Sequence, residues 1–202
     1  MQNPTRRSRR IGLTQGGRVK DGSPAEKPSR LFPRNLWEEL SNSEGPLRVF
    51  VENPSRNYFH PCEPADYLAL LGRLPADTPR SLRAIALRRT SRRDERAAVE
   101  ARRRYSCILL NSFPRSLEAT WHRRPLASEV RHFEPWCRLW LERDGVWLLK
   151  WSVEEVRQYY LYHVFLHELG HINQPWSHSL RRREVFAETF ALEWARRLGA
   201  LR

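Results

Sequence analysis

The chain has 202 residues, with 36 Lys+Arg against 23 Asp+Glu and a formal charge of +13, and its positive residues are 33 Arg and only 3 Lys. That length suits one domain with a tail; no apolar run reaches the roughly 18 residues a membrane helix needs, and the first 30 residues hold no apolar stretch of the kind a secretory signal carries. Three scattered cysteines, Cys62, Cys107 and Cys137, form no C-x-x-C, which argues against a disulfide framework or a cysteine zinc knuckle and for a reducing, cytoplasmic compartment.

Residues 1–30 are basic and rich in Gly, Pro and Ser, and read as a disordered tail. One domain is expected over 31–202, beginning where LFPRNLW brings in apolar side chains. PLRVFVENP (46–54) alternates between prolines and reads as a strand. PADYLALLGRLP (64–75) is a short helix with Pro64 in its first turn. LRAIALRRT (82–90) suits a second strand, and RRDERAAVEARRR (92–104) reads as a charged, solvated helix. YSCILLNSFP (105–114) is a continuous apolar run of the buried-strand kind. In WCRLWLERDGVWLLKW (136–151), Asp144-Gly145 separates two runs of β-formers. That dipeptide favours a two-residue hairpin turn, because both positions need positive φ. The arms are expected at 137–143 and 146–151.

Ser152 with Glu155 three residues on makes a capping box, so a helix is expected from 153 to about 172, where Asn173 and Pro175 stop it. A last helix is expected over about 182–198, with Arg196 and Arg197 in its final turn and Gly199 as its cap.

The first of these two helices carries His167-Glu168-Leu-Gly-His171, an H-E-x-x-H. On a helix, positions i and i+4 lie only about 40° apart, one turn above the other, so both imidazoles can reach one metal ion. Glu168 lies about 60° round from His171, close enough to touch a water on the metal without ligating it. The helix is otherwise apolar nearly all round, with Leu161, Val164, Phe165, Leu166, Leu169 and Ile172. Such a helix is buried, and buried histidines need partners, which a metal and its water provide.

A catalytic zinc takes three protein ligands, and three candidates for the third follow: His178, Glu184 and Glu188. The H-E-x-x-H-x-x-G-x-x-H pattern with a Met-turn is absent, since Ser177 stands at its last position and Met1 is the only methionine. Glu188 lies in an apolar stripe with Val185, Ala191, Leu192 and Ala195, where a lone carboxylate is costly without a paired charge. It is therefore the expected third ligand, with Glu184 one turn earlier orienting a ligating histidine. Ala187, Ala191 and Ala195 allow the last helix to approach another closely. His163, one turn before His167, reads as a core or supporting histidine, and His60, His122 and His132 have no motif around them.

HELGH followed by the helix EVFAETFA resembles the gluzincin branch of the zincin metallopeptidases, over about residues 152–199. The F-A-E-x-F segment is similar to the third-ligand helix of lethal-factor-type peptidases, and the general arrangement resembles small intracellular peptidases that act on repressors or regulators. The resemblance implies an α+β, zincin-like fold: a small twisted sheet whose edge hairpin, here 137–151, packs on the active-site helix. It implies one Zn2+ held by His167, His171 and Glu188, with Glu168 as general base in the hydrolysis of a protein or peptide substrate. Many gluzincins add a Tyr or His that stabilises the oxyanion. No Tyr lies between the two motif helices, so His178, Arg181 to Arg183 and Tyr160 are the available donors. The alternative reading is a nucleic-acid-associated or regulatory module with a structural or inactive metal site. Arginine clusters at 6–10, 88–104, 123–124 and 181–183 permit it, but the near absence of Lys and of any recognised nucleic-acid motif gives it little support.

Overall fold

The computed structural model describes residues 35–174 and 179–201. In chain order come α1 (Leu36–Asn42), β1 (Arg48–Val51), β2 (Tyr58–Phe59), α2 (Pro64–Gly72), β3 (Ala84–Arg88), α3 (Arg92–Arg96), β4 (Ala101–Arg104), β5 (Cys107–Asn111) and β6 (Phe113–Pro114). They are followed by β7 (Glu118–Trp121), α4 (Ala127–Phe133), β8 (Trp140–Arg143), β9 (Val146–Lys150), α5 (Val153–Tyr159), α6 (Phe165–Asn173) and α7 (Leu180–Arg197). The fold is thus α+β with small sheets. The tail expected over 1–30 lies outside the described residues.

The main sheet has the order β1-β3-β5-β4. β3 runs parallel to β1 and to β5, and β4 closes the edge antiparallel to β5. β3 and β5 are buried along almost their whole length, which is why both read as unbroken apolar runs. Alternate residues serve two cores. Ala84, Ala86, Cys107 and Leu109 meet Trp37 and Leu40 of α1, whereas Ile85, Leu87, Ile108 and Leu110 join the larger core with α2, α5 and α6. Two alanines on the first face leave room for the Trp37 ring, which stands edge-on to Phe50 at 6.0 Å.

Several local expectations are met at the level of hydrogen bonds. Asp144 and Gly145 have φ of 51° and 72°, the turn that their dipeptide favours. Ser152 N–H donates to Glu155 Oε2 at 2.7 Å, and Glu155 N–H donates to Ser152 Oγ at 3.1 Å, so the capping box is complete. α7 ends in a Schellman motif: Gly199 N–H donates to Arg196 O, Ala200 N–H donates to Ala195 O, and Gly199 takes φ 78°. The expected helix over 153–172 is present as α5 and α6, joined by a π-helical turn at Tyr160–Val164. Such turns are rare and frequent at functional sites.

Two expectations are corrected. The charged segment 92–104 is not one helix. It divides into α3 and β4, with Ala98 at φ 47° between them. An arginine run carries no periodicity of its own, so the pairing decided its conformation: Arg104 lies opposite Cys107 and Ala101 opposite Leu110 across a tight turn. The second correction follows from the first. The hairpin β8–β9 is not the strand against the H-E-x-x-H helix. β9 has β8 on one side and β7 on the other, in a separate sheet of order β7-β9-β8. β4 is the edge strand that packs on α6, together with β5.

β4 is pinned by a buried charge. Ser91 Oγ accepts from Asp94 N–H as the N-cap of α3, and the Asp94 carboxylate, 5% exposed, takes the Arg102 guanidinium, with Nε at 2.9 Å. No described helix is long and apolar enough to cross a membrane.

Candidate metal centre

α6 and α7 meet along their small residues. A Cβ on Gly170 would stand 3.0 Å from Ala187 Cα and 3.2 Å from Phe190 Cβ, and Ala187, Ala191 and Ala195 are fully buried. The expectation of a close helix pair through these alanines therefore holds, and Gly170 is its counterpart on α6. The close approach brings the histidines of one helix against the glutamates of the other.

The contacts run as an antiparallel ladder. His171 Nε2 lies 3.9 Å and His167 Nε2 3.6 Å from the same oxygen of Glu184. His167 Nδ1 lies 3.3 Å from Glu188 Oε2. One turn further back, His163 Nε2 lies 3.2 and 3.1 Å from the two oxygens of Glu188. Going back along α6 thus corresponds to going forward along α7. Among the described residues, two clusters emerge whose donor atoms all lie within 4.8 Å of one another: His167, His171 and Glu184, and His132, His163 and Glu188.

The two glutamates accordingly stand differently from the expectation. Glu184, expected to orient a histidine, is the carboxylate that faces Nε2 of both motif histidines. Glu188, expected as third ligand, faces the other nitrogen of His167. The apolar-stripe argument did find the more buried carboxylate, at 36% exposure against 49% for Glu184. Burial, however, follows depth along the helix pair, and the deeper rung belongs to His163.

Burial and the neighbouring charges push these groups in different directions. Burial pulls His167 down, but the carboxylates of Glu184 and Glu188 outweigh it and hold the imidazolium up to about 9. Glu188 goes the other way: burial would raise it, and His163 and His167 hold its carboxylate far below the ordinary range. Burial and the neighbouring His167 lower His171. Glu168 is half-buried, and its charge acts on both His167 and Glu100.

Of the remaining expected residues, Tyr160 is 1% exposed, with its ring edge-on to Phe113 at 5.9 Å, and the charges that reach it come from Glu100 and Cys62. It packs in the core. His178 lies outside the described residues. Arg181 and Arg182 are exposed at the start of α7.

Three residues near the site had no role in the sequence reading. His132 of α4 joins Glu188, with Nδ1 3.9 Å from Oε1, and burial and His163 lower it to about 4. Its only sequence cue is a position beside the buried Phe133 on a short helix. Glu100, just before β4, is pushed up to about 7 by burial, with the charge of Glu168 adding to the shift. Arg103 of β4 is exposed and adds positive charge near His171. A single helix over 92–104 places neither of them at the site. No protein-family model matches the chain, and no curated protein and no solved structure matches it.

Proposed function

We propose that the protein is a zinc-dependent peptidase of zincin-like, gluzincin type, with His167, His171 and Glu184 as metal ligands and Glu168 as general base. The observation that supports this most directly is the convergence of both Nε2 atoms on one Glu184 oxygen, at 3.6 and 3.9 Å. Donor atoms around a tetrahedral zinc, each about 2.0–2.1 Å from the ion, stand about 3.3 Å apart. An inward movement of the exposed Glu184 side chain would bring its oxygen to that spacing from both nitrogens. Two imidazoles and a carboxylate are also the donor set of hydrolytic zinc sites, which leave a fourth position for water.

Zinc bound there supplies a water acidified toward pH 7 and a polarised scissile carbonyl. Glu168 takes the proton of the attacking water and returns it to the leaving amine, as base and then as acid. Glu188 Oε2, 3.3 Å from His167 Nδ1, sets a negative charge beside that ring and raises its basicity. β4 has one edge paired with β5 and, among the described residues, no strand on the other, so an extended peptide can add to it beside α6. Arg103 stands at that edge and favours an acidic side chain nearby.

The test is zinc content and hydrolysis of an unstructured protein by the full chain and three variants. Glu184→Ala is expected to lower bound zinc by one ion per chain. Glu168→Gln is expected to keep the zinc and to lower kcat by about 10²- to 10⁴-fold. Glu188→Ala is expected to weaken zinc at the His167/His171 site by about 10- to 100-fold without abolishing it. Unchanged zinc in Glu184→Ala, or full activity in Glu168→Gln, would overturn the assignment.

A further inference from the structure

The second cluster is built like the first, and it lies outside the H-E-x-x-H motif. We infer that His132, His163 and Glu188 form a second divalent-cation site, of Zn2+ type, that shares the α6–α7 seam with the first.

The argument is geometric. Three donor atoms converge from three elements: His132 Nδ1 from α4, His163 Nε2 from the π-helical turn and a Glu188 oxygen from α7. His163 Nε2 stands 3.2 Å and His132 Nδ1 3.9 Å from Glu188 Oε1, and all the donor atoms lie within 4.8 Å of one another. These separations bracket the spacing of about 3.3 Å between donors on a tetrahedral zinc. The His132 separation is too long for a hydrogen bond, yet its nitrogen faces the same carboxylate. His163 Nε2 is within hydrogen-bond reach of both Glu188 oxygens, and His132 Nδ1 stands back from them by a distance that an ion between the three groups would span.

The ring of His163 is held by packing, and that of His132 also by a hydrogen bond. His163 stacks on Tyr159 at 5.1 Å with an interplanar angle of 13°, and Trp136 stands 5.5 Å from it on a tilted plane. The second nitrogen of His132 has its own partner, with Nε2 3.5 Å from the Tyr159 hydroxyl. A metal-binding histidine whose other nitrogen is fixed by a neighbour is the usual arrangement. Two imidazoles and a carboxylate select zinc-like ions over Mg2+ or Ca2+, which prefer all-oxygen sites.

Glu188 joins the two sites. Its Oε1 faces His132, and its Oε2 lies 3.3 Å from His167 Nδ1. An ion at the second site would fix this carboxylate and, through it, the ring of His167.

The experiment is equilibrium dialysis of the metal-stripped full chain against Zn2+, repeated with Co2+ and read by visible absorption. Wild type should bind two equivalents and His132→Ala one. Glu184→Ala should also bind one, and the double variant none. His132→Gln, which keeps a polar side chain on α4, guards against a folding defect, and each variant's thermal melt is recorded. One equivalent in wild type, unchanged in both His132 variants, would overturn the second site. Failure of the proposed function looks different: zinc would be lost on changing His132 and kept on changing Glu184.

Discussion

Gly170→Ala sets two effects of opposite sign against each other at the α6–α7 contact. Within a helix, alanine is favoured over glycine by about 1 kcal/mol. At this position the new Cβ would stand 3.0 Å from the backbone Cα of Ala187 and 3.2 Å from Phe190 Cβ. Contact with a backbone atom cannot be relieved by a side-chain rotation, so α7 must retreat by a few tenths of an ångström. Overpacking of this kind costs about 1–3 kcal/mol. The net expectation is a loss of up to about 2 kcal/mol, read as a fall in Tm of about 2–4 °C per kcal/mol for a chain of this size. The same retreat lengthens the 3.6 and 3.9 Å separations from Glu184, so zinc affinity should fall along with Tm. Differential scanning calorimetry of metal-free protein and a zinc titration measure the two effects. A Tm above wild type, with zinc affinity unchanged, would refute the close contact at Gly170.

Arg102→Ala removes the partner of the buried Asp94 and the anchor of β4; with Arg102 itself 37% exposed, a loss of about 2 kcal/mol is expected in urea unfolding, against about 0.5 or less for Arg103→Ala. Equal effects of the two would disprove the anchoring role. Glu100 ionises near 7 in the fold against 4.5 unfolded. The stability linked to its raised pKa is therefore present below 4.5 and lost as pH rises through about 7, and Glu100→Gln in metal-stripped protein should gain up to about 3 kcal/mol over wild type at pH 8 and little at pH 4. A gain at pH 4 as large as that at pH 8 would contradict the burial of its carboxyl. Zinc at about one hundred times its dissociation constant should stabilise the chain by about 2.7 kcal/mol per site, reversed by a chelator and absent from the Glu184→Ala, His132→Ala double variant.

Elements that depend on neighbours in the chain were legible in the sequence. The Asp144-Gly145 turn, the Ser152 capping box and the Gly199 cap are closed by residues within a few positions, and the H-E-x-x-H pair rests on helix periodicity alone. The alanine stripe of α7 also announced a close partner. What depended on distant pairing was not legible. ARRR becomes β4 because CILLN lies beside it, and an arginine run reads equally well as a solvated helix. The hairpin was visible, but its place in a separate sheet is fixed by β7, a strand with little sequence signal.

The same division runs through the candidate site. Sequence spacing is enough to put His167, Glu168 and His171 on one helix face, because four residues make one turn whatever surrounds them. Which glutamate meets them is a matter of register between two helices, set by the contact of Gly170 with Ala187 and Phe190. That register places Glu184 opposite Nε2 of both motif histidines and sets Glu188 among His163, His132 and Nδ1 of His167. It rests on an interaction across space, between side chains whose identity is plain in the sequence and whose alignment is not.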